Sequence, residues 1–128
     1  SSLVTEDMKY PIDSEYPGYC LIINQKSFYK EWSESKKHLV PDAPLEEREG
    51  TEKDVQSLKY TFSVCGLEIA ERHNLTDEQM LEAIHKAVDE AKSYSTLFVC
   101  ILSHGIEGEV YGCNCISVKI DIIKNIMC

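Results

Sequence analysis

The sequence predicts an α/β protein with a mostly parallel sheet and helices on both of its faces. Three short apolar runs of strand length alternate along the chain with two segments of helical periodicity. This alternation favours parallel strands that are joined by right-handed crossovers. In the common doubly wound order, the first and third strands are neighbours and ligands bind beyond their carboxyl ends.

Three predicted strands make up this sheet. Residues 19–24 (YCLIIN) form a continuous apolar run, as a strand covered on both faces does. Residues 67–72 form the second strand and residues 96–102 the third. Because the third strand is apolar throughout, it needs neighbours on both edges; we expect one edge to stay open and to drive self-association. The segment 116–128 is the alternative cover for that edge.

Two helices are predicted from their capping residues and apolar spacing. The first begins at Thr51 as N-cap and ends near residue 65, before Gly66. The second follows a capping box formed by Thr76 and Gln79. Each helix has one apolar face, which we interpret as core packing. The faces consist of Val55, Leu58, Phe62 and Cys65 in the first helix, and of Met80, Leu81, Ile84, Ala87, Val88 and Ala91 in the second.

Length and charge limit the classes of function. The 128 residues fit a linker over residues 1–15 and one domain over residues 16–128. The 22 acidic and 13 basic residues give a net charge of −9, which disfavours nucleic-acid binding. No apolar stretch approaches the roughly 20 residues of a membrane span, and the N-terminus lacks the pattern of a signal peptide. We therefore expect a cytoplasmic protein without nucleic-acid or membrane partners.

The six cysteines indicate a reducing compartment rather than disulfides. Cys20 and Cys100 lie inside apolar strand-like runs, where a reduced cysteine behaves as a small hydrophobe. The Cys113-Asn114-Cys115 motif has no further candidate ligands at a recognised zinc spacing. The sequence therefore predicts no metal site and no cofactor.

A histidine follows the third strand directly. Ser103-His104-Gly105 ends the apolar run, which places an ionisable ring at the carboxyl edge of the predicted sheet. A histidine in this position has the chemistry of a general base for a thiol nucleophile. The alternative is a histidine that ends the strand in a turn and has no chemical role.

A long polar stretch, residues 25–50, follows the first strand and opens at the same edge. It contains Arg48, just before a helix N-terminus that itself favours an anion. An arginine at this place suits a carboxylate ligand. The alternative is a solvated arginine that pairs with Glu47 or Glu49.

Five motifs connect these elements in order. They are residues 19–24 (YCLIIN), 48–54 (REGTEKD), 74–76 (NLT), 98–105 (FVCILSHG) and 111–112 (YG). In these motifs and their order the sequence resembles the caspases, the cysteine proteases that cleave after aspartate, from about residue 16 onward. The resemblance implies a caspase-like fold with a flavodoxin-like strand order. The first motif is most similar to initiator caspases of the death-receptor branch and to their insect relatives.

The resemblance implies roles for four residues. His104 would be the catalytic histidine, which assists the thiol and protonates the leaving amine. Gly105 would donate its backbone N–H to the oxyanion hole, and Arg48 would hold the aspartate carboxylate of the substrate. Glu46 occupies the position whose backbone carbonyl orients the histidine ring. The implied activity is cleavage of proteins after aspartate, in apoptosis or innate immune signalling.

The sequence also departs from the family pattern. None of its cysteines stands in Gln-Ala-Cys-x-Gly, which is expected about 50 residues beyond the histidine. We therefore expect an incomplete N-terminal portion of a large subunit, without the nucleophile and the small subunit, that is inactive alone. Cys113-Asn114-Cys115 replaces the more usual Thr-Asp-Gly-like hairpin tip, so we expect this turn to be rearranged.

Three functions remain open from the sequence. The first is part of an active caspase, and the second is a non-catalytic caspase-like decoy or regulator that pairs with an active relative. The presence of both Arg48 and His104 favours the first. The third is a flavodoxin-like phosphate- or nucleotide-binding domain, but the sequence lacks the glycine-rich loop that such a domain needs. The first function implies protein substrates, a small caspase subunit, a second caspase protomer and an adaptor reached through a leader.

Overall fold

The structure is a computed structural model that describes the backbone of residues 2–8 and all of residues 17–128. Three helices are α1 (Thr51–Val64), α2 (Asp77–Glu90) and α3 (Ile120–Met127). Short 3-10 turns lie at Lys37–Leu39 and Ala91–Ser93. The strands are β1 (Ser2–Met8), β2 (Tyr19–Asn24), β3 (Glu68–His73), β4 (Thr96–Leu102), β5 (Gly105–Ile106), β6 (Glu109–Tyr111) and β7 (Ser117–Lys119).

The main sheet has four strands in the order β1-β4-β2-β3. Its central strand β2 pairs in parallel with β3 on one side and with β4 on the other, so that Leu21 lies opposite both Ala70 and Val99. The predicted α/β class and the predicted neighbourhood of the first and third apolar runs are therefore confirmed. Parallel pairing also brings the carboxyl ends of β2 and β4 to one edge of the sheet.

The far edge of β4 is covered, which corrects the prediction of an open edge. Residues 2–8 form β1, which pairs antiparallel with β4 and sets Ser2 opposite Leu102 and Met8 opposite Thr96. The cover comes from residues that the sequence analysis assigned to a linker, and not from the segment 116–128. Residues 1 and 9–15 of that linker lie outside the described residues.

The core is divided by the sheet into two layers, because successive side chains of a strand point to opposite faces. On one face Leu21 and Ile101 belong to the cluster that α2 and α3 complete with Met80, Ile84 and Ile123. On the other face the buried residues are Cys20, Ile22, Val55, Cys100 and Leu102, and the half-buried α1 residues Leu58 and Phe62 pack against them. Helices on both faces were predicted, and the structure confirms them.

The helix ends show where local sequence rules hold and where they fail. Thr76 and Gln79 form the predicted capping box at the start of α2. Gly66, with φ of 84°, follows the C-cap of α1 as predicted. The N-cap of α1 is Gly50 and not Thr51, since the buried Thr51 hydroxyl donates to Asn24 Oδ1 at 2.6 Å. Cys65, which was placed on the apolar face of α1, is exposed.

A small second sheet carries the chain away from β4. Its strands β5, β6 and β7 are antiparallel and lead into α3, which packs against α2. The turn between β6 and β7 contains Cys113, Asn114 and Cys115, all of them buried, with Cys115 at φ of 64°. Within the described residues, no helix has the length and apolarity that crossing a lipid bilayer requires.

Candidate active site

The candidate site lies where β2 and β4 end side by side. The backbone N–H of Gln25 donates to the carbonyl oxygen of Leu102 at 2.8 Å, which extends the pairing of the two strands by one residue. The loop that leaves β2 and the hairpin that follows β4 therefore start from neighbouring positions. Both segments therefore leave from the sheet edge at which the sequence predicts ligand-binding residues.

His104 is held in place through its backbone and its ring. The buried Ser103 hydroxyl donates to the carbonyl of Tyr111 at 2.7 Å, and the Tyr111 N–H donates to the carbonyl of His104 at 3.0 Å. The imidazole Nε2 lies 2.7 Å from the carbonyl oxygen of Glu46. The ring also packs against Phe28, with 5.0 Å between ring centroids.

The partner of Nε2 decides the tautomer of the neutral imidazole. A carbonyl oxygen accepts hydrogen bonds and cannot donate them, so Nε2 of His104 carries the proton in this contact. The neutral ring then keeps the lone pair on Nδ1. His104 therefore presents a basic nitrogen whose direction is determined by the backbone of Glu46.

Arg48 is anchored by three acceptors at the end of β2. Its Nη1 donates to the Gln25 carbonyl at 2.9 Å and to the Thr51 hydroxyl at 3.1 Å. A longer contact of 3.5 Å reaches Oδ1 of Asn24. The Arg48 backbone N–H donates to the carbonyl of Lys26 at 2.9 Å. These contacts hold the arginine half-buried beside the ends of the two strands.

The hydrogen-bond acceptors of Arg48 are electrically neutral. Within residues 17–128, none of the ion pairs involves Arg48, and Glu47 instead accepts a hydrogen bond from Ser27 at 3.1 Å. Burial lowers the pKa of the Arg48 guanidinium, while the nearby Asp54 carboxylate raises it. A half-buried arginine with neutral contacts is suited to receive a carboxylate ligand.

The loop between β2 and α1 also has a support at its other side. Tyr29 donates its N–H to the Cys113 carbonyl at 2.8 Å, and Glu31 donates its N–H to the Asn114 carbonyl at 3.1 Å. The Asn114 side chain is buried and donates to Glu31 at 2.8 Å and to Asp77 at 3.0 Å. The hydrogen bond from Asn114 is the main cause that lowers the pKa of the Glu31 carboxyl.

The structure brings the predicted site residues to one place. Glu46 contacts His104 through its backbone, and Arg48 lies two residues later in the same segment. Gly105 follows His104 directly, is exposed and begins β5. Four residues that support the site were not predicted, namely Asn24, Gln25, Phe28 and Thr51. The polar pair Asn24-Gln25 at the end of the first predicted strand was a signal for two of them.

The six thiols of the chain, all within residues 17–128, are not hydrogen-bonded to this base. All six cysteines are free, and burial raises the pKa of the Cys113 and Cys115 thiols. In the part of the chain that the structure describes, no cysteine sulfur is a hydrogen-bond partner of His104. The same part contains no group of three or more His, Cys, Asp or Glu side chains that could hold a metal ion.

Comparisons with known proteins point to one family. The Caspase domain family matches residues 17–128. Caspase-8 of Drosophila pseudoobscura pseudoobscura is 38% identical over 117 residues, which cover 91% of this chain and 23% of the relative. Caspase-3 of Mus musculus is 36% identical over 109 residues, which cover 84% of this chain and 35% of the relative. The chain thus spans only a part of the length of the relatives it matches.

The family match begins two residues before the central strand β2 and runs through the last helix. It therefore includes the Glu46–Arg48 segment and His104, the contacts on which the candidate site depends. A match of this extent, together with the sheet order, shows that the chain belongs to the caspase family.

Proposed function

We propose that this chain supplies the histidine and the carboxylate-binding arginine of an aspartate-specific cysteine endopeptidase that acts in apoptosis or innate immune signalling. One observation carries the proposal: the segment from Glu46 to Arg48 orients the His104 ring through its first residue and presents Arg48 as its last. A base and a cation that are held by the same segment suit a substrate that has an acidic side chain beside the scissile bond.

The proposed reaction follows from these positions. Arg48 binds the substrate aspartate, and Nδ1 of His104 removes the proton of a thiol, which attacks the scissile carbonyl. The N–H of Gly105 stabilises the oxyanion. His104 then gives its proton to the leaving amine, and water hydrolyses the thioester to release the acid and regenerate the thiol. The thiol comes from a Gln-Ala-Cys-x-Gly segment that this sequence does not contain.

The proposed setting follows from the same family and from the cysteines. The nucleophile segment, a small subunit and a second protomer complete the enzyme, and an adaptor recruits it through a leader. Residues 16–128 are then the N-terminal portion of the large-subunit domain. Six free thiols support a reducing cytoplasmic location.

The test is the kinetics of the full-length protein with aspartyl reporter peptides. His104→Ala is expected to lower kcat by about 10²–10⁴-fold, because the proton transfer loses its base. Arg48→Lys is expected to lower kcat/KM by about 10–100-fold, because a charged two-point contact is lost. His85→Ala and Arg72→Lys, at exposed positions in α2 and β3, are the matched controls.

Two results would contradict the proposal. If Arg48→Lys leaves kcat/KM for aspartyl peptides unchanged, Arg48 does not bind the substrate carboxylate. If the full-length protein cleaves no aspartyl reporter but alters the activity of an active relative, the chain belongs to a regulator of caspases.

A further inference from the structure

The loop between β2 and α1 exposes an aspartate outside any helix or strand. In Leu39-Val40-Pro41-Asp42-Ala43-Pro44, the side chains of Asp42, Ala43 and Pro44 are exposed, and Leu39 is 55% exposed. Residues 41–48 belong to no helix or strand. Within the described residues, the one hydrogen bond to residues 41–44 runs from Lys30 Nζ to the Asp42 carbonyl, at 3.2 Å on the surface.

Two prolines keep the residues before them out of a helix. The residue that precedes a proline is disfavoured in the helical region, and proline itself has φ near −65°. Val40, before Pro41, has φ of −72° and ψ of 135°, and Ala43 stands before Pro44. Endopeptidases and other peptide-binding proteins bind extended segments through their main chain. The chain bends at Asp42 and Ala43, so the segment straightens when it enters such a groove, and only the surface hydrogen bond from Lys30, but no helix or strand, opposes this change.

The other aspartates in the described residues are placed differently. Asp7 lies in β1, Asp54 in α1, Asp77 and Asp89 in α2, and Asp121 in α3. Their peptide bonds become accessible to a protease only when a helix or the sheet opens locally, which costs free energy. Exposed loop tips with small residues are the preferred sites of proteolytic nicking. Asp42 is exposed, lies outside every helix and strand and is followed by the small residue Ala43. Its peptide bond is therefore accessible without local unfolding.

We propose that the Asp42–Ala43 peptide bond is a regulatory cleavage site for an aspartate-specific cysteine endopeptidase. The proposal rests on the proposed function, because that function supplies a protease of this specificity. The enzyme thiol forms a thioester with the Asp42 carbonyl carbon as the C–N bond breaks, and the proton goes to the Ala43 amine. Water then hydrolyses the thioester, so that the net reaction consumes one water molecule.

Both sides of the cut keep their anchors, so cleavage opens the loop without releasing a fragment. On the N-terminal side of the cut, β2 pairs on both edges, Lys36 binds Asp77 at 2.7 Å, and Tyr29 and Glu31 bind the turn that contains Asn114. On the C-terminal side of the cut, the Arg48 backbone N–H donates to Lys26. What is lost is the covalent link between these supports and the segment from Glu46 to Arg48. Cleavage is therefore expected to loosen the segment that orients His104 and to lower activity.

The test uses the 128-residue chain and a separate, active aspartate-specific caspase-family protease. Intact mass spectrometry and N-terminal sequencing are expected to show fragments 1–42 and 43–128 with Ala43 as the new N-terminus. Asp42→Asn is expected to reduce cleavage at this bond to background, whereas Asp89→Asn, an exposed helical aspartate, leaves it unchanged. Absence of this cut, or cuts confined to other aspartates, would overturn the proposal.

The design separates this proposal from the proposed function. The added protease is checked on a reporter peptide in the same tube, so cleavage at Asp42 does not depend on activity of the chain itself. A full-length protein without activity would contradict the proposed function and leave the mapped cut in place. An active full-length protein whose Asp42–Ala43 bond resists the protease would overturn only the cleavage site. In an active full-length protein, Asp42→Asn is expected to retain activity longer during incubation with the protease.

Discussion

Nε2 of His104 lies 2.7 Å from the carbonyl oxygen of Glu46, a residue 58 positions earlier in the chain. Because the contact involves backbone, the direction of the ring depends on the path of the loop and not on the side chain at position 46. That path is held by the Arg48 N–H on Lys26 and by the Asn114 contacts with Glu31. The geometry of the candidate base is therefore determined by loop supports on both sides.

The first prediction concerns the tautomer of His104. In the neutral ring the proton is expected on Nε2, since the Glu46 oxygen can only accept. Two-dimensional 1H–15N NMR of the imidazole nitrogens measures this directly. Glu46→Ala is expected to leave the tautomer unchanged, and the exposed His85 provides an internal comparison. A proton on Nδ1 of His104 in the wild type would contradict the assigned contact.

The second prediction concerns Gly112, in the turn that supports the loop. A Cβ at this position would lie 2.4 Å from the Asp77 nitrogen, 2.7 Å from Asn114 Oδ1 and 2.8 Å from the Thr76 carbonyl carbon. Since two of these atoms are backbone, Gly112→Ala is expected to lower the free energy of unfolding by about 3 kcal/mol. Urea denaturation of the variant and the wild type measures this loss of stability.

The control for Gly112 is Gly108, which has φ of 76° and open space where a Cβ would lie. Gly108→Ala is expected to cost only the backbone strain, about 1–2 kcal/mol. An unchanged free energy of unfolding in Gly112→Ala would show that steric crowding at Gly112 is absent.

The third prediction concerns the acid stability of the loop support. Burial raises the pKa of the Asp77 carboxyl, but hydrogen bonds from Lys36 and Asn114 outweigh it, and the net effect is a lowered pKa. A carboxyl with a lowered folded pKa stabilises the protein above its unfolded pKa, and this stability is lost as the pH falls through the folded value. The free energy of unfolding is therefore expected to decrease below about pH 4.

Asp77→Asn tests this assignment, because it removes the titrating group. Urea denaturation between about pH 5 and pH 2.5 is expected to give a shallower decrease for this variant than for the wild type. Asp89→Asn, at an exposed position beside Lys92, is the control and is expected to follow the wild type. Identical pH profiles for Asp77→Asn and the wild type would exclude Asp77 as a source of acid sensitivity.

The fourth prediction concerns β1. The wild-type chain is expected to sediment as a monomer, because residues 2–8 cover the edge of β4. Replacement of residues 1–8 by a glycine-serine segment of equal length exposes that edge and is expected to cause self-association at micromolar concentration. Sedimentation velocity compares the two proteins. A replacement variant that stays monomeric and unfolds cooperatively would show that β1 is not needed to protect β4.

The features that were predicted correctly are those encoded by nearby residues. Apolar runs and helical spacing depend on neighbours within one or two turns, and so does the capping box of Thr76 and Gln79. Thr51 shows the limit of this reasoning. Its residue type favours an N-cap, but its hydroxyl bonds to Asn24, 27 residues away, and Gly50 takes the capping position. Such a contact exists only after β2 and α1 have packed.

The sequence by itself determined the α/β class, the approximate positions of α1, α2, β2, β3 and β4, and the candidate site residues, since periodicity and motifs are local. Only the tertiary structure decided which groups those residues contact. The segment 2–8 includes Glu6 and Asp7 and lacks an apolar run, so its strand depends on the unpaired backbone groups of β4. Likewise, the neutral contacts of Arg48 and the carbonyl beside His104 come from distant parts of the chain, which folding alone brings together.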